Sequence, residues 1–180
     1  MGGRGSGSGM GAYRQNVRNS EDTIRNEPVE HLLLLGADGK IEMEAGDGQQ
    51  SEVTVTPEMM AKARDAVMTH NHPRGSPFSW EDVHTAITLG VREIRATTAY
   101  NGTYSLRRNY ELTAQNPSHY ASFGLAYRMY IINDIRPTIQ GRVNRGEINI
   151  WQANRQENDM RREWLRNNAK RFGYTYKEEK

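Results

Sequence analysis

Residues 66–83 read Ala66-Val67-Met68-Thr69-His70-Asn71-His72-Pro73-Arg74-Gly75-Ser76-Pro77-Phe78-Ser79-Trp80-Glu81-Asp82-Val83. An apolar start of strand character delivers two imidazoles at its C-terminal end. Side chains i and i+2 of a strand share a face, so His70 and His72 point together and Asn71 points away. Pro73 and Gly75 turn the chain back. Ser79 is an N-cap, and Trp80 to Leu89 reads as a helix stopped by Gly90. Strand, bend and helix in direct succession indicate an α/β fold. The same succession puts Asp82 in the first turn of the helix, able to swing its carboxylate toward the histidines. Two imidazoles and one carboxylate are three protein ligands with an open fourth position, the catalytic rather than the structural zinc pattern. Ser79 and Asp82 also have a plainer account as N-cap and first-turn acid.

Upstream, Leu32-Leu33-Leu34-Leu35 is an apolar run of strand length ended by Gly36-Ala37-Asp38-Gly39. Ile41 to Ala45 then alternates, which gives a hairpin with one wet face. Val53 and Val55 suggest another short strand. Thr56-Pro57-Glu58 opens a helix, with Met59, Met60, Ala63 and Val67 along one side of it. Downstream, Val91 to Tyr100 is expected as a strand, Asn101-Gly102 as a two-residue turn, and Thr103 to Leu106 as the return. Beyond Asn116-Pro117-Ser118 the chain turns helical up to Asp134, and Pro137 and Gly141 break it. A final helix is expected from about Ile148 to Arg171, packed through Trp151, Met160, Trp164 and Leu165.

The chain has 180 residues, 36% of them hydrophobic, and no cysteine. Disulfides, thiolate zinc sites and cysteine nucleophiles are therefore excluded. No apolar run approaches a membrane span, and the N-terminus lacks the apolar core of a signal peptide. A soluble cytoplasmic protein without membrane contact is expected. Net charge is +2, but residues 28–115 hold eight Lys/Arg against twelve Asp/Glu, and residues 116–180 hold twelve against seven. The middle and the tail thus have different tasks or attract each other. Three parts are expected: a flexible Gly-rich head and polar arm over 1–27, a metal-binding domain over 28–115, and a basic amphipathic helical extension over 116–180.

The string His-x-His-Pro…Ser-x-x-Asp resembles the signature of the JAMM/JAB (MPN-fold) metallopeptidases. Its wording here, HNHPRGSPFSWEDV, is closest to the RadC-type branch and to JAB-like domains of prophage proteins. The resemblance covers roughly residues 28–110, and the Pro73–Phe78 spacer is one residue shorter than the family's usual spacing. It implies a mixed sheet with inserted helices, to which residues 116–180 would add a C-terminal helical appendage. It also implies Zn2+ held by His70, His72 and Asp82, Ser79 supporting an oxyanion, and an early Glu activating water. Glu30 stands where relatives carry that Glu, with Glu27 as the fallback. The implied activity is cleavage of a peptide or isopeptide bond in a protein substrate. The alternative is a non-catalytic binding or assembly module of a phage or mobile element. Its C-terminal helices would then serve a protein partner or self-association, with a nucleic-acid surface as the lesser option. The letters His-Asn-His do not make an HNH nuclease, whose essential residues are spread over a whole ββα unit. His84 is expected on a helix surface, and His31 opposite Glu30.

Overall fold

The structure, a computed structural model, describes residues 7–46 and 55–180. Its frame is a six-stranded mixed sheet. Strands β1 (Leu32–Leu35), β2 (Ile41–Ala45), β3 (Val67–Asn71), β4 (Glu93–Thr98), β5 (Gly102–Arg108) and β6 (Tyr174–Glu179) lie in the order β2-β1-β3-β4-β5-β6. Only β3 and β4 are parallel. A parallel pair needs a crossover, here the helix α3 (Trp80–Leu89). The remaining helices are α1 (Gly7–Ile24), α2 (Pro57–Ala63), α4 (Tyr110–Gln115), α5 (Pro117–Tyr130), α6 (Arg136–Asn144) and α7 (Ile150–Asn168). The α/β expectation holds.

The four-leucine run is a strand buried on both faces, which is why it does not alternate. Leu32 and Leu34 join the main core with Met68, Ile94, Ala96, Tyr104 and Leu106, under α3, α5 and α7. Leu33 and Leu35, with Val67, pack on the opposite face against Val17 and Ile24 of α1. The polar arm is therefore a helix that covers the second face of the sheet. Gly7 to Gly11, expected within a flexible head, are its first residues.

On that second face the sheet also carries a buried ion cluster. Arg95 Nε lies 2.6 Å from Glu21 Oε1 of α1, its Nη1 2.7 Å from Glu93 and its Nη2 2.8 Å from Glu179 of β6. Thr69 Oγ1 donates to the same Glu21 carboxylate at 3.2 Å. Burial of the guanidinium works against its charge, but Glu179, Glu21 and Glu93 more than offset this and raise its pKa.

Several local expectations change. Val53 lies outside the described residues, and Val55 belongs to no strand. Helix α2 ends at Ala63, so Val67 belongs to β3, and Met60 is exposed. The β4–β5 loop is three residues long, because Thr98 pairs with Gly102, whereas a two-residue turn at Asn101-Gly102 would pair Tyr100 with Thr103. Gly102 takes a φ of +79°, which suits a three-residue loop.

Pro137 and Gly141 do not break the helical run. Proline has no N–H, and the chain absorbs this with a π-helical turn, Ile131–Ile135, in which Arg136 N–H bonds to Ile131 O. Helix α6 then continues through both residues. Nor is the C-terminal segment an appendage made only of helices. Helix α7 ends at Asn168, a 3-10 turn spans Ala169–Phe172, and Gly173 (φ +82°) redirects the chain into β6. Phe123, Tyr127, Leu165 and Tyr174 sit in the same core as the sheet. Trp151, expected to pack, is 80% exposed; Trp164, as expected, packs, stacking on Phe123, Tyr127, Tyr130 and Phe172.

Candidate metal centre

The centre forms at the C-terminal end of β3, where the chain leaves the parallel pair for α3. His70 is the residue of β3 opposite Leu32 of β1 and beside Ala96 of β4, on the face that carries the main core. His72 follows immediately after the strand, its N–H bonded to Thr97 O at 2.8 Å. The Pro73–Phe78 bend is held by Gly75 (φ +72°), whose carbonyl accepts from Asn101 Nδ2 at 2.8 Å. A side chain at position 75 would strain that turn. Ser79 then caps α3 in a reciprocal box: its Oγ accepts from Asp82 N–H at 3.1 Å, and its N–H donates to Asp82 Oδ2 at 2.6 Å.

The side chains of His70, His72 and Asp82 converge, with one ligand atom from each lying within 4.8 Å of the others. The two Nε2 atoms are 2.8 Å apart. Asp82 Oδ1 lies 3.3 Å from His70 Nε2, and Oδ2 lies 3.5 Å from His72 Nε2. His72 Nδ1 donates to Ser76 O at 2.8 Å, so in the neutral ring Nε2 carries a lone pair directed at the cluster. His70 Nδ1 is buried without a partner. At these distances, two imidazole lone pairs and a carboxylate repel one another unless a proton or a cation lies among them. The donor set, two imidazole nitrogens and a carboxylate oxygen, suits zinc and similar divalent ions. The residues present therefore fit a metal.

The acidities show the same coupling. For His72, burial opposes the charge most strongly. The Asp82 carboxylate, the Ser76 carbonyl and Glu30 outweigh it and raise the pKa. Asp82 is held well below the usual carboxylate range: burial works the other way, but His70 and His72 dominate together. Glu30 moves up, chiefly because it is partly buried, against the opposing pull of His72 and His70.

Glu30 thus stands within electrostatic reach of all three candidate ligands. Glu27 is exposed, and its carbonyl accepts from Asn71 Nδ2. Ser79 is at the cluster through its capping box with Asp82. His84 is exposed and pairs with the Trp80 ring, and His31 Nδ1 lies 3.1 Å from Glu44 on the neighbouring strand.

Asn71 was passed over in the sequence because its side chain points away from the histidines. It is fully buried and clamps the segment that carries Glu30. Its Nδ2 donates to Glu27 O (3.1 Å) and Val29 O (2.9 Å), and its Oδ1 accepts from His31 N–H (2.7 Å). One signal was available: Asn is depleted in strands, so an Asn between two histidines at the end of a buried strand is there for its hydrogen bonds.

No protein-family model, curated protein or solved structure matches the chain. Among the described residues, no helix is long and apolar enough to cross a membrane.

Proposed function

We propose that the chain is a zinc-dependent hydrolase of the JAMM/JAB type, acting in the cytoplasm on a peptide or isopeptide bond. The observation that supports this reading most is the convergence of His70, His72 and Asp82 with Glu30 coupled to them. Zinc bound there would supply Lewis acidity, lowering the pKa of a water and polarising a carbonyl. Glu30, with its raised pKa, would take the proton of the attacking water and return it to the leaving amine. Ser79 Oγ accepts from Asp82 N–H, so its own proton is free to be donated to a developing oxyanion.

The test is elemental analysis of protein purified without added metal, followed by turnover of peptide and isopeptide substrates. One zinc per chain is expected, lost in Asp82→Ala. Glu30→Gln should keep the zinc and lose turnover by about 100-fold or more. Wild-type protein that takes up no divalent metal would sink the proposal.

A second reading, a binding or assembly module of a phage or mobile element, has its own observation. Leu125, Met129, Ile150 and Trp151 on α5 and α7 are exposed and offer apolar surface to a protein partner or a second copy. Stoichiometric metal without hydrolysis of any substrate would favour it. The nucleic-acid option draws less support, because Arg142, Arg145, Arg161, Arg162 and Arg166 each face a carboxylate.

A further inference from the structure

A single peptide plane joins the C-terminal helices to the metal centre. Tyr127 of α5 is fully buried, and its hydroxyl donates to Phe78 O at 2.9 Å. That carbonyl belongs to the peptide unit whose N–H is Ser79 N–H, the donor to Asp82 Oδ2 at 2.6 Å. The chain of bonds runs from the Tyr127 hydroxyl to the Phe78 carbonyl, across the peptide, and from the Ser79 N–H to the Asp82 carboxylate. Donation to a peptide carbonyl polarises the unit and strengthens its N–H as a donor, so the two bonds reinforce each other. They also fix the tilt of the plane from both sides. Asp82 Oδ2 is thereby pinned, and Oδ1 faces His70.

Phe78 is itself buried, with its ring against those of His70 and Tyr104. No water can therefore replace the phenol at this carbonyl without opening the core. Gly124 lets α5 come this close: a Cβ there would sit 3.3 Å from the Cα of His84 in α3.

We propose that Tyr127 is a positioning residue for the metal centre, orienting the Asp82 carboxylate through the Phe78–Ser79 peptide. The proposal rests on the reading of Asp82 as a ligand and gives the C-terminal segment a share in the site. Partners one shell behind a ligand typically alter metal affinity by about 10–100-fold.

The experiment uses the full chain, with Co2+ as a spectroscopic probe for affinity and amide hydrogen exchange of the metal-free protein as a second readout. Tyr127→Phe is compared with Phe123→Leu, a core change in the same helix that leaves the peptide plane untouched. Tyr127→Phe is expected to weaken Co2+ binding by about 10–100-fold and to speed exchange at Ser79 and Asp82. Phe123→Leu should do neither, even at an equal loss of Tm. Placing 4-aminophenylalanine at position 127, which restores a weaker donor, should recover an intermediate affinity.

Co2+ affinity within twofold of wild type and unchanged exchange in Tyr127→Phe would overturn the proposal. So would equal effects from Phe123→Leu. Should the phenylalanine variant not fold, the 4-aminophenylalanine variant decides: a several-fold weaker affinity supports the assignment, and an unchanged one overturns it. Wild-type protein that binds no Co2+ would count against the metal centre itself. Exchange at Ser79 in the Tyr127 variants then still decides whether this residue holds the peptide plane.

Discussion

At the scale of residues, the centre is a set of lone pairs brought closer together than they would settle unaided. Asp82 has a lowered pKa and His72 a raised one, and each direction fixes a sign for stability. The Asp82 contribution is present above its ordinary value of 3.8 and disappears as pH falls through its lowered value. The His72 contribution is present below its ordinary value of 6.5 and disappears as pH rises through its raised value. In chelator-treated protein, the Tm difference between wild type and Asp82→Asn should therefore be largest between those two values and shrink as pH rises through the raised His72 value. A difference that grows as pH rises above 6.5 would contradict the coupling. Ser79→Ala removes the cap of α3 and should cost about 1 kcal/mol of stability by chemical denaturation, with any loss of turnover counted separately. Asn71→Ala frees the segment around Glu30. Zinc content should stay at wild-type level while turnover drops at least about tenfold; loss of zinc instead would place Asn71 behind the ligands rather than behind Glu30.

At the scale of elements, strand β3, the Pro73–Phe78 bend and helix α3 could be read in the sequence because each signal is local. Ser79, Gly90 and the His-x-His spacing act within a few residues of themselves. The elements misread were those decided at a distance. Pro137 lies in a run that packs Ile131, Ile135 and Ile139 into the core, so the helix keeps its direction through a π turn instead of ending. Tyr174 to Glu179 falls in the stretch expected as a helical extension, but its backbone pairs with β5 and its Glu179 meets Arg95. The crossing of α5 over α3 depends on the missing side chain at position 124. Gly124→Val should force the two helices apart at a cost of about 1–3 kcal/mol, read as a lower midpoint in urea. A midpoint equal to wild type would show that the contact gives way easily.

At the scale of the whole molecule, both faces of the sheet are covered, and each cover is tied down by charge or hydrogen bonds as well as by apolar contact. Helix α1 is tied through Glu21 to Arg95, which also holds β6 through Glu179. Arg95→Met would leave the Glu21 carboxylate buried without its cation and should cost about 3–5 kcal/mol in thermal or urea unfolding. The double change Arg95→Met with Glu21→Leu should recover much of it, since an apolar pair carries no uncompensated charge. A single variant as stable as wild type would show that the cluster contributes nothing.

The sequence alone determined the three candidate ligands and the strand–bend–helix that presents them. These residues lie within thirteen positions of one another, and strand alternation plus one helical turn is enough to bring them together. It passed over Asn71 and Tyr127 and placed the C-terminal strand within a helical extension. Only the tertiary structure decided those. Each depends on a partner dozens of residues away: Asn71 with Glu27 and Val29, Tyr127 with Phe78, and β6 with β5. Local spacing carries no information about such pairs. They are set by which buried polar group must find a hydrogen bond once the core has closed around it.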